Sequence, residues 1–274
     1  MILFLSNADT ELLALRTMAE GLPESFPQVR AATASTTLPL PVLDGVHAVV
    51  VRLLGGRRAW ESSFDTLRDA CRAGNIPLLA FGGEANLDEE LTRASTVAPE
   101  IVVEAFGYVV HGGPRNLEHL FRFVADSVLG FDFGHEPPHV IPDHGIFRGG
   151  GSKAEVPTVA VLFYRAHLVA GNTRFVDELC DAIEAIGANA IGVYCYSLRP
   201  TTPGGRPPVM DVLASVGVDS VVTTVLAAGA LERISGSWDP GALASLDVPV
   251  VQAICATGNA DAWSQSSQGL SPLD

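Results

Sequence analysis

Three stretches of the chain hold the residues best suited to chemistry. In the first, Phe163-Tyr164-Arg165-Ala166-His167 follows an apolar run and leads on to Gly171-Asn172-Thr173-Arg174. In an open α/β sheet, ligands bind outside the C-terminal ends of the strands, which is where this segment is expected to lie. Arg165 and Arg174 can form charge-assisted bonds to a carboxylate. His167 can serve as a ligand or proton carrier, because imidazole titrates near neutrality. The alternative is a packing role for Tyr164 and His167, with Asn172 or Thr173 capping the helix that follows.

The second stretch is Leu54-Gly55-Gly56-Arg57-Arg58. Its glycines permit close backbone approach, and a helix N-terminus after them carries partial positive charge. Arg57 and Arg58 there suit a carboxylate or phosphate, and a plain strand-to-helix turn is the alternative. The third stretch gathers His135, His139 and His144 with Asp132, Glu136 and Asp143. Imidazole with carboxylate suits a divalent transition metal. Pro137-Pro138 between the first two histidines disfavours presentation from a helix, so a solvated linker is the competing reading. His111 and His119 flank Gly112-Gly113-Pro114 and read as helix-end or core residues.

Other chemistries lack their motifs. Neither G-x-G-x-x-G nor G-x-x-x-x-G-K-[ST] occurs, so no nucleotide-phosphate loop is expected. No serine sits in a G-x-S-x-G elbow, and no carboxylate pair stands out as acid and base. Cys71, Cys180, Cys195 and Cys255 form no C-x-x-C pair. Each lies in an apolar segment, as reduced buried thiols of a cytoplasmic protein would.

The 274 residues carry 17 basic and 31 acidic side chains, a net charge of −14. Both halves are acidic, so neither offers the basic footprint of a nucleic-acid binder. No apolar run approaches the roughly 20 residues of a membrane span. With 47% hydrophobic and 18% charged residues, the chain has material for packed cores.

The elements that must position these residues alternate between strands and helices, which predicts parallel sheets with crossover helices. Strands are expected at Met1–Ser6, Val29–Ala34, Val46–Leu54 and Pro77–Phe81. Helices are expected at Ala8–Leu22, Arg57–Ala73, Asn86–Ser95, Pro99–Val110 and from Pro114 to Leu129. Asn7 or Asp9 is the expected cap of the first helix. Regular patterning stops from Gly130 to Glu155. A second unit then reads as strand Thr158–Phe163, helix Thr173–Ile186 with Ile186 inward, strand Ala190–Tyr196, helix Val209–Ser215, and strands Ser220–Leu226 and Val248–Ile254. The predicted architecture is α/β, two domains with mostly parallel flavodoxin-like sheets. The division is a first domain at 1–130, a linker at 131–156 and a second, incomplete domain at 157–274. The ending, Trp263–Asp274, lacks a closing element and reads as a cut within a longer protein.

Five segments carry a resemblance: LLGGRRAW from Leu53, PLLAFGGE from Pro77, GGPRNLEHLFRFVAD from Gly112, VLFYRAHLVAGNTRFVDELCDAIEAIGANAIGVYCYSL from Val161, and VPVVQAI from Val248. Their order and spacing resemble the N-terminal region of the CobN-type large subunit of cobaltochelatase, a relative of the magnesium chelatase H subunit. Val109-Val110-His111 departs from the aromatic or basic lead-in expected before the third segment.

The resemblance implies the tetrapyrrole-binding subunit of an ATP-dependent chelatase. That enzyme inserts Co²⁺ into hydrogenobyrinic acid a,c-diamide during aerobic cobalamin biosynthesis. It implies AAA+ ATPase partner subunits that handle ATP and Mg²⁺, and metal-insertion residues downstream of this region, so no catalytic residue is assigned here. Substrate contact would fall to Tyr164 facing the macrocycle, His167, and a corrinoid carboxylate held by Arg57, Arg58, Arg165 or Arg174. The alternatives are a stand-alone two-lobed α/β module binding a corrinoid or anion without turnover, and a porphyrin-binding subunit of the magnesium branch.

Overall fold

The computed structural model describes residues 1–35, 43–84, 86–149, 155–199, 205–225, 241–255 and 260–265. The chain forms two units. One comprises Met1–Ile141 with Val169–Asn172, and the other the remainder. The expected turn at Leu38–Pro41, the first two residues of the expected loop Pro203–Pro208 and residues 266–274 lie outside the described residues.

The first unit begins with β1 (Ile2–Ser6), α1 (Asp9–Ala19), β2 (Val29–Thr33) and β3 (Ala48–Leu53). A 3-10 turn at Arg57–Trp60 leads into α2 (Glu61–Ala73), where a single helix was expected. Then come β4 (Leu78–Gly82), α3 (Glu89–Ala94), α4 (Pro99–His111) and α5 (Pro114–Leu129). The four strands are parallel in the order β2-β1-β3-β4. β1, β3 and β4 are buried throughout, as a parallel sheet covered on both faces requires. Alternation divides their side chains between two cores. Ile2, Phe4, Val50 and Phe81 meet Leu15, Met18, Tyr108 and Phe121 from α1, α4 and α5. Leu3, Leu5, Val49 and Val51 meet Trp60, Phe64, Leu67 and Cys71. The outer edge of β4 is sealed: Leu78 N–H donates to Thr96 Oγ1 at 2.8 Å, and Ala80 N–H to Ser95 Oγ at 2.9 Å.

Residues 131–141 have no regular structure and are mostly exposed, and they are laced antiparallel along α5. Asp126 accepts from Phe133 N–H (2.7 Å) and Gly134 N–H (3.0 Å), and Arg122 donates to Phe133 O (3.2 Å). His119 Nδ1 accepts from Glu136 N–H at 2.9 Å. Asn116 donates to His139 O and accepts from His139 N–H, both at 2.8 Å. The contributing α5 residues recur at three- and four-residue steps, one face of a helix. The boundary between the units falls at Ile141/Pro142, within the span read as linker.

The second unit opens with β5 (His144–Arg148), a strand not expected. It continues with β6 (Thr158–Tyr164), α6 (Arg165–Val169), α7 (Arg174–Ala185), β7 (Asn189–Cys195), α8 (Val209–Val216), β8 (Ser220–Thr223), α9 (Gly241–Ala244), β9 (Val250–Gln252) and α10 (Ala260–Gln265). The sheet order is β5-β7-β6-β8-β9, parallel except for β5. The parallel strands thus repeat the order of the first sheet, second-first-third-fourth, the flavodoxin-like order. Ala160, Leu162, Val193, Met210, Leu213 and Val221 pack one face. Phe163 on the other face meets Phe147 and Phe175 edge-on. Arg148 pairs with Asp177, Asp181 and Glu184 along α7. Ile186 is 83% exposed rather than inward, because α7 ends at Ala185.

Three cysteines are buried, but Cys255 is exposed, which corrects the expectation of four buried thiols. No helix among the described residues is long and apolar enough to cross a membrane.

Candidate functional site

Doubly wound sheets bind ligands where the strand order reverses. In the second unit that point lies between β6 and β8. Tyr164 ends β6, opposite Cys195 of β7. Burial pushes its phenol up, so it stays a neutral donor. Arg165 opens α6, and its Nε donates to Pro142 O at 2.9 Å. His167 lies edge-on to Phe175 with ring centroids 4.9 Å apart. Burial lowers its pKa, which favours the neutral imidazole. Across the reversal, Thr224 Oγ1 donates to Leu162 O at 3.2 Å, and Thr223 is buried beside it. The Thr-Thr pair ending an apolar strand was the missed signal here.

Arg174 stands at the first position of α7 with its side chain 90% exposed, 3.4 Å from Glu178. Thr173 occupies the cap position, but its side chain makes no capping bond. The structure therefore brings Tyr164, Arg165 and His167 to one strand end. Arg174 follows them on an exposed helix start.

The corresponding reversal in the first unit, between β1 and β3, is closed by its own side chains. Asn7 caps no helix. Its Nδ2 donates to Leu54 O at 3.0 Å and its Oδ1 accepts from Leu54 N–H at 2.7 Å. Arg52, 8% exposed, places Nε 2.9 Å from Glu11 Oε1 without an aligned hydrogen bond. Its other nitrogens donate to Val109 O and Gly83 O. Ser6 Oγ donates to Glu11 Oε2 at 2.7 Å. Burial raises the Glu11 pKa and lowers that of Arg52, each opposed by the other's charge. Gly83 admits the neighbouring loop: a Cβ there would lie 2.4 Å from Leu54 Cδ2.

Arg57 is occupied by Asp65, Glu61 and Glu90. Arg58 is exposed. This junction is thus a compact structural turn, with the charge of Arg57 already matched. A cleft of about 400 Å³ lies elsewhere in this unit, between α1 and edge strand β2, lined by Leu12, Leu15, Met18 and Val29 with Arg16 and Thr33. None of the predicted site residues lines it.

The histidines do not converge. His135 Nδ1 is 3.3 Å from Asp126, and its ring stands edge-on to Phe123. His139 is held through its backbone by Asn116, and His144 begins β5 of the other unit. Among the described residues, no group of three or more His, Cys, Asp or Glu side chains is arranged to hold a metal ion.

Two sheets whose parallel strands share one order define a two-unit flavodoxin-like α/β protein. A family model described as CobN/Magnesium Chelatase matches residues 106–274. The chain belongs to that family. It is 28% identical over its whole length to the aerobic cobaltochelatase subunit CobN of Pseudomonas aeruginosa, of which it covers 23%. It is likewise 28% identical to the subunit of that name from Sinorhizobium sp, again covering 23% of that protein. The solved catalytic subunit of cobaltochelatase from Mycobacterium tuberculosis matches all of this chain with TM-score 0.82 and 38% identity, over 23% of its own length. The chain thus spans about a quarter of the length of these relatives.

Proposed function

We propose that this chain is the head portion of the large tetrapyrrole-binding subunit of an ATP-dependent cobaltochelatase. The whole enzyme inserts Co²⁺ into hydrogenobyrinic acid a,c-diamide, and AAA+ ATPase partner subunits handle ATP and Mg²⁺. The observation that carries this reading is the match of the entire chain, in sequence and in fold, to cobaltochelatase large subunits. Metal insertion itself is assigned to the rest of the subunit.

Within the chain, substrate contact is assigned to the β6 strand end. Tyr164 offers a neutral phenol to the macrocycle, Arg165 a guanidinium to a corrinoid carboxylate, and His167 a neutral imidazole. Arg174 is exposed and adds positive charge. Arg57 is left out of the site, because three carboxylates already surround it. The chain's acidic balance repels an anionic corrinoid at long range, so binding depends on these local cations.

The test is titration of the 274-residue chain with hydrogenobyrinic acid a,c-diamide, followed by fluorescence quenching and calorimetry. Micromolar binding, weakened about tenfold or more by Arg165→Glu, supports the site. Binding that Arg165→Glu leaves unchanged rejects it. An intact subunit that carries this sequence and inserts Co²⁺ only with its ATPase partners supports the wider reading.

A further inference from the structure

The two sheets share one strand order, yet their fourth strands end differently. In the first unit β4 is buried throughout, and Ser95 and Thr96 bond along its outer edge. In the second unit every residue of β9 is exposed. Val250 is 39% and Val251 57% accessible, and Ile254 is exposed beside them. Val250 and Val251 point to opposite faces of the sheet, so among the described residues an exposed valine stands on each face at this edge.

The backbone shows the same openness. Pro249 O accepts from Val221 N–H at 2.9 Å, and Ala253 N–H donates to Thr223 O at 2.8 Å. Residues of a parallel strand bond alternately to the two sides. The amides and carbonyls of Val250 and Gln252 therefore face away from β8, and β9 is the last strand in the order of the described residues. Exposed β-branched side chains on a parallel strand are unusual, because such sheets are normally buried on both faces.

We infer that the outer edge of β9 is a docking edge, and that its occupant is a strand–helix segment from the part of the large subunit outside this chain. The segment's strand adds in parallel to β9, and its helix covers the Val251 or Val250 face. The chain's relatives are about four times longer, at 23% coverage, so such a subunit has ample sequence to supply it. A second copy of the chain or a separate protein is the competing occupant. The inference rests on reading this chain as part of a larger chelatase subunit.

Hydrogen exchange of residues 248–255 tests it, measured in the 274-residue chain and in the intact subunit that carries this sequence. The amides of Val250 and Gln252 should exchange at least about tenfold more slowly in the intact subunit. Val251→Lys should abolish that added protection while leaving the Tm of the 274-residue chain unchanged. Equal exchange in both proteins overturns the inference. So does concentration-dependent self-association of the short chain that Val251→Lys removes, because the occupant is then a second copy. If no longer chain carries the sequence, the inference also falls. Chelatase activity of the intact subunit is assayed in parallel. Active enzyme with unchanged protection rejects the docking edge alone, and inactive enzyme with added protection rejects the functional reading alone.

Discussion

Arg52 Nε lies 2.9 Å from Glu11 Oε1, and both side chains are largely shielded from water. The pair joins β3 to α1, and Arg52 also reaches the last turn of α4 through Val109 O and the end of β4 through Gly83 O. A buried ion pair costs most when one member is removed, since the other is left charged in a poor solvent. Arg52→Met or Glu11→Leu alone should lose about 3–5 kcal/mol of unfolding free energy. The double variant should lose clearly less than the sum. Urea unfolding of the four proteins checks this, and strict additivity would show that the two charges do not interact.

Asp126 organises the segment after α5. Its carboxylate accepts two backbone N–H groups, from Phe133 and Gly134, and stands beside His135. Hydrogen bonds to a charged group contribute about 1.5–3 kcal/mol. Asp126→Ala should lower stability by about that amount, and should raise exchange at the amides of Phe133 and Gly134. Limited proteolysis should then cut within residues 131–141. Unchanged exchange at these two amides would mean the lacing does not hold the segment.

The alternation of strands and helices was legible because buried parallel strands read as apolar runs and the helices carry a clear apolar stripe. The stop at Leu129 was legible too, since Gly130 takes the left-handed conformation that ends α5. Arg52 was hidden for the opposite reason: one charge inside an apolar run says nothing of a carboxylate on a distant helix. The lacing of residues 131–141 was equally hidden. Its donors and acceptors are mostly backbone groups, and prolines and glycines in sequence look the same whether packed or solvated. β5 escaped because an antiparallel edge strand of five residues, pairing with the distant β7, leaves little local pattern. The order of chemistry-bearing residues after β6 was visible, but the use of Arg57 by three carboxylates was not.

Thiol chemistry separates the cysteines. Burial pushes Cys195 up to about 12, and Cys71 and Cys180 up to about 11, so these stay as unreactive thiols. Cys255 is exposed. Labelling of the native protein with a thiol reagent at about pH 8 should modify Cys255 alone, and Cys255→Ser should abolish it. Denaturant should then release three further thiols. Rapid native labelling of Cys195 would contradict the packing of β7.

His167 gives the proposed ligand point its pH dependence. Burial depresses its folded pKa below the ordinary 6.5. The unfolded chain therefore binds the proton more tightly than the folded one. Stability linked to this group is present above about pH 6.5 and is lost as pH falls through the lowered folded value. His167→Phe should flatten that part of the stability profile and keep the edge-on contact with Phe175. The imidazole followed by NMR should titrate below 6.5 in the native chain, and it should be uncharged at neutral pH. Corrinoid binding at the β6 strand end should then weaken on acidification through the same window in the native protein but not in the variant. The reason is that a charged imidazole must be brought into the half-buried setting beside Phe175. A native titration above 6.5 would reverse the sign, making His167 a cationic contact that gains affinity for a carboxylate as pH falls.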